Sequence, residues 1–316
     1  MKRSLFVTSN RLGDAVLTTG VLKYLVDREP HIPITVVCGH IPKDIFENFE
    51  GVERVIPLKK KKYSKHWLDA LYQTGPRYWH RIVDFRSSLF GILPARHRHI
   101  WRGGNDTIHK AVVNAAMIGL DFPLGPSITP TAAQLDITAS KLSLSSDSRP
   151  IIAFAPTANF PDKQWHNENY LSLAKALTAE GAAYAGARVA IFGAPGEEAQ
   201  AVPVVEGLPE NQVIDLVGKT TPSEAAAFLS KAQLFVGNDS GLMHTAVAVN
   251  TPTVGLFGIG KPAVYGPWGE NTLCLKSTPA GTPICEAPSQ SGGDALPVSY
   301  VLSQIETFLK NRKQPT

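Results

Sequence analysis

The sequence predicts an α/β protein built from two doubly wound, Rossmann-like domains, and three observations lead there. Its 316 residues exceed what one hydrophobic core usually fills and suit two domains of roughly 150 residues each. Short apolar runs alternate with helical spacing twice, once before residue 126 and again after residue 150, the pattern of parallel strands joined by helices. Between the two series, residues 126–150 are dominated by Ser, Thr, Ala and Pro, the composition of a linker. The expected division is a first domain over residues 1–140, a second over 150–297, and a terminal helix and tail over 298–316.

Leu5-Phe6-Val7 predicts the first strand. A polar loop from Ser9 to Gly13 leads into one helix from Asp14 to Asp27, where Val16, Leu17, Val21, Leu22, Leu25 and Val26 recur three and four apart. Pro30 and Pro33 close that helix region, and Ile34-Thr35-Val36-Val37-Cys38 is the next strand, with further apolar runs at 52–57 and 82–85. In the second series the expected strands are 151–154, 188–192, 234–237 and 253–257. The expected helices are 168–177, 223–230, 241–249 and an amphipathic 298–309. No repeat of 20–50 residues occurs. In such folds ligands bind at the carboxyl ends of the strands, so the two domains are expected to face each other across a cleft.

Composition narrows the class. With 43% hydrophobic and 18% charged residues the chain is globular rather than disordered. No run of about 18 apolar residues could span a membrane. The apolar stretch after Lys2 and Arg3 ends at Thr8-Ser9-Asn10, too short for a secretory signal. Cys38, Cys274 and Cys285 show no C-x-x-C spacing, which speaks against a disulfide framework or zinc site and for a reducing cytoplasm. The net charge of +4 is mild but uneven. Lys59, Lys60, Lys61 and Lys62 with Lys65 and His66 form one basic cluster, and Arg96-His97-Arg98-His99 with Arg102 a second. Solvated basic loops and a site for an anionic partner are both open readings. No RNA motif or zinc-finger spacing accompanies them, so nucleic acid is not an expected partner.

Four strand-end loops are candidate sites, each with a plainer alternative. In Gly237-Asn238-Asp239-Ser240-Gly241-Leu242-Met243-His244 a buried strand runs into a small-residue helix. Asp239 suits the N-cap, and Ser240 and Gly241 let a phosphate approach free N–H groups at the positive end of the helix dipole, with His244 on the first turn. An ordinary capped crossover helix has the same pattern. In Ala155-Pro156-Thr157 to Lys163-Gln164-Trp165, Thr157 offers a hydroxyl and Lys163 a mobile cation, both suited to a diphosphate; a surface loop with a packed Trp is the alternative. In Gly193-Ala194-Pro195-Gly196-Glu197-Glu198, Glu197 could accept from a ribose diol or merely charge a helix N-terminus. In Arg11-Leu12-Gly13-Asp14, Asp14 is either a general base or a plain N-cap. The chain has no D-x-D carboxylate pair, no Walker phosphate loop and no G-x-S-x-G elbow. Gly255, Gly258 and Gly260 do not form a dinucleotide fingerprint. An anion site without metal or cofactor is expected.

Taken in order, these loops resemble glycosyltransferase family 9, the lipopolysaccharide heptosyltransferases; Thr251-Pro252-Thr253 and Phe257-Gly258 continue the match. The resemblance implies a GT-B fold with the acceptor on the first domain and the donor on the second. It also implies inverting, metal-independent transfer from an ADP-sugar, usually ADP-L-glycero-D-manno-heptose, to an anionic, lipid-linked saccharide. Peripheral contact with the inner membrane would follow. By position, Asp14 is similar to the family's general base, Thr157 and Lys163 to its diphosphate and sugar contacts, and Glu197 to its ribose contact. Thr220 matches the adenine-side contact and Asp239 the sugar contact, while Ser240, Gly241 and His244 complete the phosphate site. Lys59 to Lys62 lie where the family places positive charge for its acceptor. Two departures stand out: Ser240 replaces a more usual Thr, and Ile259-Gly260-Lys261 replaces a common Pro-Thr-acidic sequence. A UDP- or GDP-sugar enzyme of similar fold, and a nucleotide-sugar-binding protein without catalysis, are the alternatives.

Overall fold

The computed structural model describes residues 2–59, 65–75, 77–103, 106–141, 146–277 and 296–312. They form two compact units, Met1–Thr131 and Ala132–Thr316. The first unit contains β1 (Ser4–Val7), α1 (Leu12–Val16), α2 (Thr19–Arg28), β2 (Ile34–Gly39), α3 (Lys43–Glu47), β3 (Val52–Leu58), α4 (Lys65–Thr74), β4 (Trp79–Asp84), β5 (Ala95–Ile100) and α5 (Lys110–Met117). Its strands pair in parallel in the order β3-β2-β1-β4-β5. β1 and β2 are buried along their whole length, as strands covered by helices on both faces must be.

The single helix expected from Asp14 to Asp27 is two helices. Thr18 and Thr19 cause the break: their hydroxyls donate to the carbonyls of Ala15 and Val16, each at 2.7 Å, and the Thr18 amide reaches back only to Ala15. Such back-bonding competes with the helical ladder. Thr8 Oγ1 lies 2.8 Å from Thr18 Oγ1 and ties the break to the end of β1. Further on, Thr19 Oγ1 accepts from the Ser127 amide, and a Cβ at Gly20 would clash with the Gly125 carbonyl oxygen. The chain leaving the first unit thus lies directly against the backbone of α2.

The second unit contains α6 (Ala132–Lys141), β6 (Ile151–Ala155), α7 (Asn167–Thr178), β7 (Arg188–Ile191), α8 (Glu198–Glu206), β8 (Val213–Asp215), α9 (Pro222–Leu229), β9 (Leu234–Asn238), α10 (Gly241–Ala248), β10 (Thr253–Phe257), α11 (Pro262–Tyr265), β11 (Thr272–Lys276) and α12 (Val298–Arg312). Its sheet order is β11-β10-β9-β6-β7-β8, again all parallel. α12 buries Val301 and Ile305 in the core beneath α7, so it is part of this unit rather than a separate tail. Residues 132–140, expected at the end of the first domain, also group with the second. Gln134 donates to Ser223 Oγ, and Lys141 pairs with Glu224 at 2.6 Å, fastening α6 to α9.

The strands that the hydrophobic pattern did not reveal are edge strands. β5 carries Arg96, His97, Arg98 and His99, the second basic cluster, expected as loop or site; it pairs with β4 from Trp79↔Ala95 to Asp84↔Ile100. A strand with one open edge needs no apolar run, and charge there discourages pairing with other chains. β8 and β11 are likewise only partly buried edges. Among the described residues no helix is long and apolar enough to cross a membrane.

Candidate functional site

In an open parallel sheet the crevice forms where neighbouring strands send their connections to opposite faces. In the second unit that point lies between β6 and β9, and the loops leaving these two strands carry Thr157, Lys163, Asp239 and Ser240. Lys163 closes a short 3-10 turn, Pro161–Lys163, and its Nζ meets Asp239 Oδ2 at 2.5 Å. The Asp239 side chain is only 10% exposed and that of Lys163 29%, so the pair is partly screened from water.

Asp239 is not the N-cap. Its carboxylate is committed to Lys163, and the last extended residue, Ser240 (φ −145°, ψ 170°), caps α10 by position. The Ser240 side chain makes no cap hydrogen bond to α10, and its Oγ is buried without a hydrogen-bond partner among the described residues. An eight-residue helix with a bare N-terminus and an unused hydroxyl beside it has the donors an anion needs. Gly241 opens the helix. His244, on the next positions of the same turn, is buried at 4% exposure rather than presented to solvent. Gly260 runs close by: a Cβ there would lie 2.8 Å from Asp239 Oδ2.

A second pair forms beside the first. Glu197 Oε2 accepts from Thr157 Oγ1 at 2.5 Å and from the Ala194 amide at 2.8 Å, which curls the turn after β7 around its own carboxylate. Thr157 is buried, at 3% exposure. The neighbouring Glu198 accepts from its own amide and that of Gly196, and these hydrogen bonds hold its carboxyl below the usual range. The Gly218 amide donates to the Gly193 carbonyl at 3.0 Å, which sets the loop carrying Thr220 beside this turn. Thr220 immediately precedes Thr221, the N-cap of α9, whose capping box with Glu224 fixes that loop. The structure therefore gathers the sequence-predicted donor residues of the second unit into two bonded pairs, Lys163–Asp239 and Thr157–Glu197, with the α10 N-terminus beside the first.

Asp14 belongs to the first unit. It is the third residue of α1, half-buried, with Arg11 in the N-cap position and no side-chain cap. The plain N-cap role does not apply to it. The switch point of this sheet lies between β1 and β4, and Asp14 stands on the helix that leaves β1. Lys59 is exposed; Lys60, Lys61 and Lys62 lie outside the described residues. The second basic cluster instead borders a cavity of about 560 Å³ at the carboxyl end of β5, lined by Arg98, His99, Trp101, Arg102 and Met117 among others. Burial and the charge of Arg81 keep the His99 imidazole below its ordinary pKa. Lys110 Nζ sits 4.7 Å from the Trp101 ring centroid, a cation–π distance.

Sequence reasoning passed over Asn238. It is fully buried and bonds to both ends of the Lys163 loop. Its one visible signal was a polar residue ending an otherwise apolar strand.

Residues 86–291 match the family described as glycosyltransferase family 9 (heptosyltransferase). The chain belongs to glycosyltransferase family 9. A relative within reach of the family 9 chain over most of its length is lipopolysaccharide heptosyltransferase 2 of Escherichia coli K12, 34% identical over 307 residues that span 84% of this chain and 85% of the relative. Lipooligosaccharide heptosyltransferase 2 of Haemophilus influenzae is 35% identical over 164 residues; that match spans 49% of this chain and about half, 46%, of the relative. The solved structure of E. coli ADP-heptose lipopolysaccharide heptosyltransferase II superposes with a TM-score of 0.76, covering 99% of this chain and all of that one at 22% identity. The family 9 chain is thus a glycosyltransferase, and its two Rossmann-like parallel sheets are those of a GT-B fold.

Proposed function

We propose that this glycosyltransferase moves heptose from ADP-heptose onto an anionic inner-core saccharide of lipopolysaccharide, with inversion at the anomeric carbon and without a metal ion. The observation that carries this reading is the Lys163–Asp239 pair beside the bare N-terminus of α10. A diphosphate arriving there competes with Asp239 for the Lys163 ammonium and takes its remaining hydrogen bonds from the α10 amides and Ser240. Asp239, released, accepts from a sugar hydroxyl. Glu197 and the loop of Thr220 take the ribose and adenine.

In the proposed step Asp14 removes the proton of the acceptor hydroxyl. The acceptor oxygen forms its bond to the anomeric carbon from one face while the bond to the ADP oxygen breaks on the other. The electrons of the broken bond end on the diphosphate, where Lys163 and the helix N-terminus meet the developing charge. Preorganised charges of this kind supply several kcal/mol in other enzymes. Asp14 and the donor residues belong to different compact units, so the proposed reaction takes its base from one unit and its donor contacts from the other.

The acceptor side is supported by charge. Residues 1–131 carry nineteen Lys and Arg against eleven Asp and Glu, whereas the remainder carries twelve against sixteen. A basic unit suits a phosphorylated or carboxylated saccharide held at an anionic membrane, which supports a peripheral position on the cytoplasmic face. Incubation with ADP-heptose and heptose-deficient lipopolysaccharide, followed by mass spectrometry, tests the reading. A product heavier by one heptose is expected. Thermal-shift titration should rank ADP above UDP and GDP; a preference for UDP or GDP would overturn the donor assignment, and no product with any acceptor would overturn the catalytic one.

A further inference from the structure

The geometry points to Asn238 as the positioning residue that sets Lys163 for the donor; we propose that this side chain, by clamping both ends of the 156–165 loop, fixes where the lysine can reach. The proposal rests on the reading of Lys163 as the diphosphate's cation. Asn238 is the last residue of β9, at the switch point, and none of its surface is exposed. Its Nδ2 faces three successive carbonyls at the start of the loop, those of Ala155, Pro156 and Thr157, at 3.4, 3.1 and 3.3 Å. Its Oδ1 accepts from the Trp165 amide at 3.1 Å, at the far end of the loop, and from the Tyr170 hydroxyl at 2.9 Å.

A primary amide has two N–H donors and two acceptor lone pairs. Here both lone pairs are filled and both hydrogens are shared among three carbonyls, so the group has no capacity left over. An aspartate at 238 would match the two donors from Trp165 and Tyr170 but set its second oxygen against three carbonyl oxygens. A glutamine would be one methylene too long to keep these bonds at a fully buried position. Trp165 is held from its other side as well, its Nε1 donating to the Leu296 carbonyl at 2.9 Å and its ring meeting Tyr170 edge-on at 5.0 Å.

The loop between these anchors holds Thr157 at one end and the turn ending in Lys163 at the other. The residue after Asn238 is Asp239, which holds the lysine's ammonium. One dipeptide therefore fixes the loop's backbone with its first side chain and the loop's charge with its second. A buried, fully bonded amide is a rigid support, and a donor cation displaced by even an ångström loses much of its value to a leaving group.

The test is a cycle of variants in the full-length protein, with ADP affinity measured by calorimetry, transfer kinetics measured as kcat and KM separately, and melting temperature recorded for each. Asn238→Ala is expected to weaken ADP binding about tenfold and lower kcat by a comparable factor. In the Lys163→Ala background the same change should move ADP affinity and kcat less than about twofold, because its effect passes through the lysine. Tyr170→Phe, which removes one donor and keeps the packing, should shift both quantities in the same direction by a smaller factor and serves if Asn238→Ala does not fold. Equal losses in the presence and absence of Lys163, or a lowered melting temperature with ADP affinity and kcat unchanged, would show a merely structural residue and overturn the proposal. If Lys163→Ala alone leaves ADP binding and kcat untouched, the diphosphate reading of Lys163 fails, and the positioning role fails with it by a result distinct from the other two.

Discussion

Lys163 and Asp239 stand 76 residues apart in the chain and 2.5 Å apart in space, joined above the paired ends of β6 and β9, where neighbouring loops diverge. Each is a reasonable ligand for part of a nucleotide sugar. Held together, they keep a cation and an anion partly buried at low electrostatic cost, and in the proposed reaction they separate only for a ligand that replaces both partners.

Removing the cation tests this directly. Lys163→Ala should weaken ADP about tenfold, since a hydrogen bond to a charged group is worth about 1.5–3 kcal/mol, and should lower kcat further because leaving-group charge is greatest in the transition state. Calorimetry and steady-state kinetics separate the two effects. An unchanged kcat would remove Lys163 from the reaction.

Asp14→Asn separates chemistry from donor binding. The amide keeps the size of the side chain and loses its basicity, so transfer should fall about 10²–10⁴-fold, the usual worth of a general base. ADP affinity should stay within about twofold. A parallel loss of affinity and turnover would argue for a binding role instead.

Thr157→Val replaces the buried hydroxyl that donates to Glu197 by a methyl group. Glu197 retains its bond from the Ala194 amide. The cost should be about 1 kcal/mol of stability, read as a melting-temperature drop of about 2–4 °C for a unit of this size, together with weaker ADP binding. A drop in stability with ADP affinity preserved would place Thr157 in the scaffold only.

Gly20→Ala tests the packing of α2 against the segment leaving the first unit. The new Cβ would meet backbone, at Gly125, which cannot swing aside as a side chain can. Overpacking of this kind costs about 1–3 kcal/mol, and denaturant unfolding should show it. A neutral result would mean that the 124–127 segment yields easily.

One pH effect has its sign set by geometry. Hydrogen bonds from Arg149, with the added charge of Arg188, lower the Asp147 carboxyl from 3.8 to about 2. A depressed carboxyl stabilises the fold fully above its unfolded pKa, and that contribution disappears as pH falls from about 4 towards 2. Asp147→Asn should therefore melt with a shallower pH dependence across that interval than the parent, by thermal denaturation at a series of pH values. Parallel curves would refute the coupling.

Much of this was legible in the chain because central parallel strands are written as unbroken apolar runs. β1, β2, β6, β9 and β10 were all visible that way. β5, β8 and β11 were not, because an edge strand can carry Arg96 or Asp215 at little cost. Thr18 and Thr19 hid the break between α1 and α2, since the helical period of apolar residues runs straight through it. Lys163 and Asp239 were each identifiable at a strand end, but their pairing depends on β6 lying next to β9. Asp239 looked like a cap for the same reason: the side chain that claims it lies far away in sequence. Asn238 carried almost no local signal, because what defines it is five partners from another loop and helix.

The position of β6 also bears on how the chain is made. It is the first strand of its sheet to be synthesised and ends near the middle, between β7 and β9. A nascent chain that has reached residue 200 already contains the Lys163 loop and the strand that launches it, but one edge of that strand is still bare. The carbonyls at 155–157 have no amide to bind, and the lysine has no counter-ion. Competence to hold a nucleotide should therefore arrive in one step, when residues 234–239 slot into the open edge. Fragments that stop short of them should be sticky rather than weakly active, since an unpaired apolar strand edge recruits other chains.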